Sequence, residues 1–93
     1  MRIVGDIPHP SLKITIFLHD SKYSVKFESG LYEMTYKFRS GDELDSVAAI
    51  KAIVDATFIQ EVAQHLPKMH QQKLGAIGRW MKDKEELDFD EII

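Results

Sequence analysis

The spacing of apolar residues changes once along this chain, near Ser40: every second position is apolar before it, every third or fourth after it. A period of two belongs to a pleated strand with one buried face, and a period near 3.6 to an amphipathic helix. Leu12, Ile14, Ile16 and Leu18 alternate with Lys13, Thr15, Phe17 and His19. Tyr23, Val25 and Phe27 alternate with Ser24, Lys26 and Glu28, and Tyr32, Met34, Tyr36 and Phe38 with Glu33, Thr35 and Lys37. Three such segments with short polar joins predict an antiparallel meander. The expected fold class is therefore α+β: an N-terminal three- or four-stranded β-meander with two or three C-terminal helices packed on one face.

The joins specify the pairing. With Asp20-Ser21 as the first turn, Ile16 faces Val25, Ile14 faces Phe27 and Lys13 faces Glu28. Ser29-Gly30 offers a two-residue loop in which glycine supplies a positive φ. A closing pair of Glu28 and Leu31 then sets Phe27 opposite Tyr32, Val25 opposite Met34, Tyr23 opposite Tyr36 and Lys26 opposite Glu33. Both registers keep apolar residues on one side and opposite charges on the other, and a one-residue slip destroys both features. Residues Arg2 to Ile7 suit a further strand. Pro8 and Pro10 set it apart from the Leu12 segment as a stiff extended connector, leaving its place in the sheet open.

Beyond Arg39, Ser40 and Glu43 have the spacing of a capping box, and Asp42 and Asp45 suit the positive end of a helix. Leu44, Val47, Ile50 and Val54 form its apolar stripe. Asp55 is the expected cap of a second helix with Phe58, Ile59, Val62 and Leu66 inward. Pro67 is expected to end or kink that helix. A third stretch, from about Lys68 to Lys84, turns Leu74, Ile77, Trp80 and Met81 inward. The organisation read this way is one domain over residues 1–93: meander 1–39, helical part 40–84 and an acidic tail 85–93.

Composition narrows the function classes. The chain is 44% hydrophobic and 29% charged, a globular balance rather than a disordered one. Its formal charge of −3 argues against a strongly basic nucleic-acid binder. Residues 1–41 carry a net charge of +2 and residues 42–93 one of −5, with the acidic excess after Lys82. There is no cysteine, hence no disulfide, thiolate metal site or cysteine nucleophile. The longest apolar run, Val47 to Ile50, is far short of the ~20 residues of a membrane span. Without an apolar stretch near the start, the expected location is cytoplasmic. A chain of this size buries only roughly 60–65% of its unfolded surface, and oligomerisation is the remaining cheap route to more.

No constellation points to catalysis. His19, Asp20 and Ser21 have the letters of a triad, but consecutive turn residues diverge and turn chemistry accounts for them. His65 and His70 are five apart across Pro67, not the spacing that sets two imidazoles on one helix face. His70 reads as a hydrogen-bonded, half-buried residue at the end of an apolar stripe, and His9 as an exposed residue held between prolines. Neither a metal nor a cofactor is expected. Gly75 and Gly78 lie inside a predicted helix, where each costs about 1 kcal/mol relative to alanine. Close approach of another helix is the expected compensation, from the Val62/Ala63 stretch first and otherwise from a second copy.

What remains is surface. Phe17 and Leu31 interrupt an otherwise polar sheet face and are candidate protein contacts. Phe89, Ile92 and Ile93 alternate with acids in a tail suited to docking as an extended strand. The reading is a small non-enzymatic interaction module, its partner a second copy of itself or another protein. The contact residues are Phe17, Leu31, Gly75, Gly78, Phe89, Ile92 and Ile93. The alternative is a single-stranded nucleic-acid binder using Lys13, Phe17, Lys26 and Lys37, with the aromatic stacking a base and the lysines tracking phosphates.

Overall fold

The structure, a computed structural model, describes residues 1–39 and 44–92, with side chains through residue 84. Four strands, β1 (Arg2–Ile7), β2 (Lys13–His19), β3 (Lys22–Ser29) and β4 (Tyr32–Phe38), precede two helices, α1 (Val47–Ile53) and α2 (Ala56–Ile92). The sheet is antiparallel throughout, in the order β1-β2-β3-β4. The first segment thus joins the meander, pairing Ile7 with Ile14 and Ile3 with Phe17, and a bulge at Val4 restores the pleat before Gly5 meets Ile16.

The β2–β3 register is the expected one, with Ile16 opposite Val25, Ile14 opposite Phe27 and Lys13 opposite Glu28. Asp20 and Ser21 both adopt positive φ (49° and 62°), the backbone that matches a two-residue turn to the twist of its strands. The β3–β4 register differs from the expected one by two residues. Ser29 pairs with Tyr32, so the loop is Gly30-Leu31, with Gly30 at φ 58°. Phe27 therefore faces Met34, Val25 faces Tyr36, and Tyr23 faces Phe38. This slip leaves every side chain on its expected face but sets Glu28 directly opposite Glu33. Lys26 resolves the repulsion, its Nζ lying 3.4 Å from Glu28 and 3.6 Å from Glu33.

Alternate strand residues build the core: Ile14, Ile16, Tyr23, Val25 and Phe27 are buried in one cluster with Ile50, Val54, Ile59, Val62 and Leu66 of the helical part. Phe27 is fully buried, its ring stacked on Phe58 and edge-on to Tyr36, each at 5.8 Å. Gly5 lets α1 close on β1, since a Cβ there would lie 3.1 Å from Val47 Cγ1. The Tyr23 hydroxyl donates to the Asp45 carbonyl (3.3 Å) and ties the approach to α1 to the sheet.

The helices depart from expectation at two places. Ser46 caps α1, its Oγ accepting from the Ala49 N–H (3.0 Å), so the helix begins at Val47. The capping box expected at Ser40 and Glu43, with Asp42, lies outside the described residues. Asp55 caps α2 as expected, its Oδ1 accepting from the Phe58 N–H (2.9 Å). Pro67, however, does not divide the helical part: α2 runs through it, giving two helices among the described residues, the lower of the two counts expected. Leu66 is buried just before it, Met69 packs on the core just after it, and these anchors hold the helix across the missing hydrogen bond. The backbone of the acidic tail continues α2 as far as Ile92, so it is not an extended strand.

A helix of 37 residues is about 55 Å long. Strands of seven or eight residues span only about 25 Å. The helix thus outruns the sheet, and the molecule measures 68 × 27 × 18 Å.

Candidate functional site

The consequence of that mismatch is an exposed apolar face. At 3.6 residues per turn, side chains 18 apart point the same way. Ile59, Val62 and Ala63, which meet the core, are therefore repeated five turns later by Ile77, Trp80 and Met81. The first set lies against the sheet, whereas the second lies beyond it. Leu74, Ile77, Trp80 and Met81 are 52%, 39%, 60% and 53% exposed, contrary to the inward placement their spacing suggests. Helical periodicity specifies a face but not what covers it.

The helix leaves the sheet at the tip of the β3–β4 hairpin. There Tyr32 makes the last aromatic contact, its hydroxyl hydrogen-bonded to His70 Nδ1 (2.7 Å) and the rings edge-on at 5.5 Å. Lys73 Nζ sits 5.3 Å from the Tyr32 ring centre. His70 is hydrogen-bonded as expected, but it is exposed.

Between this helix face and the hairpin tip runs an open groove of about 890 Å³. Ala63, Leu66, Pro67, Leu74 and Ile77 form its helical wall, and Gly30, Leu31 and Tyr32 the opposite one. The connector before β2 also borders it, through His9, Ser11 and Leu12. Its His9 is structural, because Nδ1 accepts from the backbone N–H groups of both Ser11 and Leu12 (3.1 Å each), fixing the turn that buries Leu12. The proton of the neutral ring is then on Nε2.

Several expected contact residues take different roles. Leu31 is 84% exposed, but it stands in the hairpin loop and borders the groove instead of lying on the polar sheet face. Phe17 does lie on that face, half-buried, with Lys26 Nζ 5.5 Å from its ring centre. Among the described residues, no other helix reaches Gly75 or Gly78. A Cβ at Gly78 would meet nothing within 4 Å, and one at Gly75 only Arg79 of its own helix. Packing against the Val62/Ala63 stretch is excluded, since both belong to the same continuous helix. Phe89, Ile92 and Ile93 lie outside the described side chains.

On the polar face, Lys26 is engaged by two glutamates and covers Phe17, while Lys13 and Lys37 are exposed. His19 Nε2 lies 3.2 Å from Asp20 on an exposed turn. Among the described residues there is no cluster of three or more metal-ligating side chains, and no helix long and apolar enough to cross a membrane. The groove itself is not legible in the sequence, since it joins residues far apart in the chain; the one signal for it is Leu31, an apolar residue in a turn. Compared with protein-family models, with curated proteins and with solved structures, the chain matches none of them.

Proposed function

We propose that this protein is a small non-enzymatic interaction module of the cytoplasm that works by self-association, using the exposed face of α2 and the groove beside it. One observation carries the reading: the core-facing pattern of α2 is repeated beyond the sheet, where Ile77, Trp80 and Met81 stay 39–60% exposed and, of the described residues, only Lys84 lies over the Trp80 ring. Leu31, Leu74, Ile77 and Met81 together leave about two whole aliphatic side chains in water. Covering them is worth about 3–6 kcal/mol per protomer, and twice that in a symmetric pair. Trp80, more than half exposed, adds to this. Set against the roughly 4–15 kcal/mol that association costs, the burial of these aliphatic side chains alone allows a dimer no tighter than about micromolar.

Sedimentation velocity from low to high micromolar concentration tests the proposal. The weight-average mass should climb from 10.7 kDa toward twice that value. A mass that stays at the monomer value throughout overturns it. The nucleic-acid reading has less in its favour, because Lys26 is already neutralised and its ammonium occupies the face of Phe17 on which a base would stack.

A further inference from the structure

We infer that two copies pair through α2 in antiparallel orientation, crossing near Gly78, with the basic stretch of each helix alongside the acidic end of the other. This rests on the self-association proposed above and specifies its geometry. The first observation is a segregation of charge along one helix. Residues 64–82 carry Lys68, Lys73, Arg79 and Lys82 and no acid, whereas residues 83–93 carry six acids and only Lys84. The acidic end stands at the helix C-terminus, where the macrodipole is already negative and no basic residue occupies the last turn. A positive group from outside the helix would be favoured there.

A parallel pair would lay the acidic ends together and the basic stretches together, and like charges set side by side repel. An antiparallel pair crossing near Gly78 sets residues 64–73 of one helix beside residues 83–92 of the other, matching positive with negative twice. It also places the two sheets at opposite ends of the assembly. The groove beside residues 63–77 then receives the C-terminal turns of the partner helix.

The second observation is Gly78. It lies 40° around the helix from Leu74 and 60° from Met81, at the Leu74 edge of the exposed stripe, and has open space where a Cβ would be. Helix-interior glycine is costly, and no described residue uses the room it leaves. At a helix crossing that room lets two backbones approach closely.

Because the chain has no cysteine, introduced ones report orientation. Leu74→Cys and Met81→Cys proteins, mixed and mildly oxidised, should cross-link with each other, while neither should cross-link with itself. In the proposed pair, position 74 lies across from 81, and the two copies of 74 stand about 12 Å apart along the axis, beyond disulfide reach. Raising salt should weaken association of the unmodified protein several-fold, since the charge pairing is screened. Far-UV circular dichroism confirms that each variant is folded. Self-cross-linking of Leu74→Cys, or association that tightens with salt, overturns the antiparallel arrangement while leaving self-association standing. A monomer at high micromolar concentration overturns both.

Discussion

Replacing Pro67 with alanine is expected to stabilise the protein. In a helix interior, proline costs about 3 kcal/mol relative to alanine. The loss has two sources: residue 67 has no N–H for the Ala63 carbonyl, and its ring crowds that same carbonyl. Opposing this, alanine gives up the stiffness that proline lends the unfolded chain, roughly 0.4–1 kcal/mol. Little burial changes, because Pro67 is exposed. The net expectation is about 2 kcal/mol of added stability. In a domain of this size that raises the melting temperature by about 8–16 °C.

Thermal and urea unfolding, followed by far-UV circular dichroism, measure the shift. Trp80, the single tryptophan, reports the distal half of α2 by fluorescence, and near-UV signals from Tyr23 and Tyr36 report the core. The gain should appear in both probes, because Met69 and the Tyr32–His70 contact couple the two halves of the helix. An unchanged or lowered melting temperature would refute the continuous helix. At the first position of a separate third helix, proline is favoured rather than costly, and its removal would bring no gain.

Phe27→Ala should destabilise the fold by about 3–5 kcal/mol, since it opens a cavity in a fully buried site and removes two aromatic contacts. Urea titration by near-UV dichroism reads this, and a loss under about 1 kcal/mol would place Phe27 outside the core. A labelled single-stranded oligonucleotide should show no rise in anisotropy with this protein at low salt. Salt-sensitive binding that weakens in Phe17→Ala would instead favour the polar sheet face as a nucleic-acid surface.

How far the sequence determines the fold differs between the two hairpins. The β2–β3 pairing is legible because the polar, turn-forming pair Asp20-Ser21 lies between two alternating runs and fixes the loop, and with it the register. The β3–β4 pairing is not, because a two-residue slip preserves the faces and the pattern is blind to it. Glycine suits either position of a two-residue loop, and pairing Lys26 with Glu33 makes the alternative register attractive. The observed register instead keeps Phe27 among Met34, Tyr36 and Phe58, and Lys26 reaches Glu33 on the diagonal. Asp55 is readable as a cap because the short side chain next to an apolar-periodic run has one obvious use. Pro67 is misleading because tertiary anchors on both sides outweigh a local cost of about 3 kcal/mol. The candidate site is legible only in its ingredients: Leu31 and the glycines stand out, but the stripe around Leu74 and Ile77 reads the same whether it meets a sheet or open solvent.

The distal half of α2 poses an energetic question that the proposed self-association would answer. Among the described residues, nothing after Leu66 is buried, and Met69 is the last residue that packs on the core. Ordering each further residue costs about 1–2 kcal/mol of backbone entropy, offset in a bare helix chiefly by its own hydrogen bonds. This segment contains two glycines, and its acidic end opposes the macrodipole. Each of those features is unfavourable in a solitary helix. In the proposed antiparallel pair, the glycine would lie at the crossing, the acidic end would run beside the basic stretch, and the repeated apolar face would be covered. One partner helix thus removes three separate costs at once, which a solvated helix end cannot do.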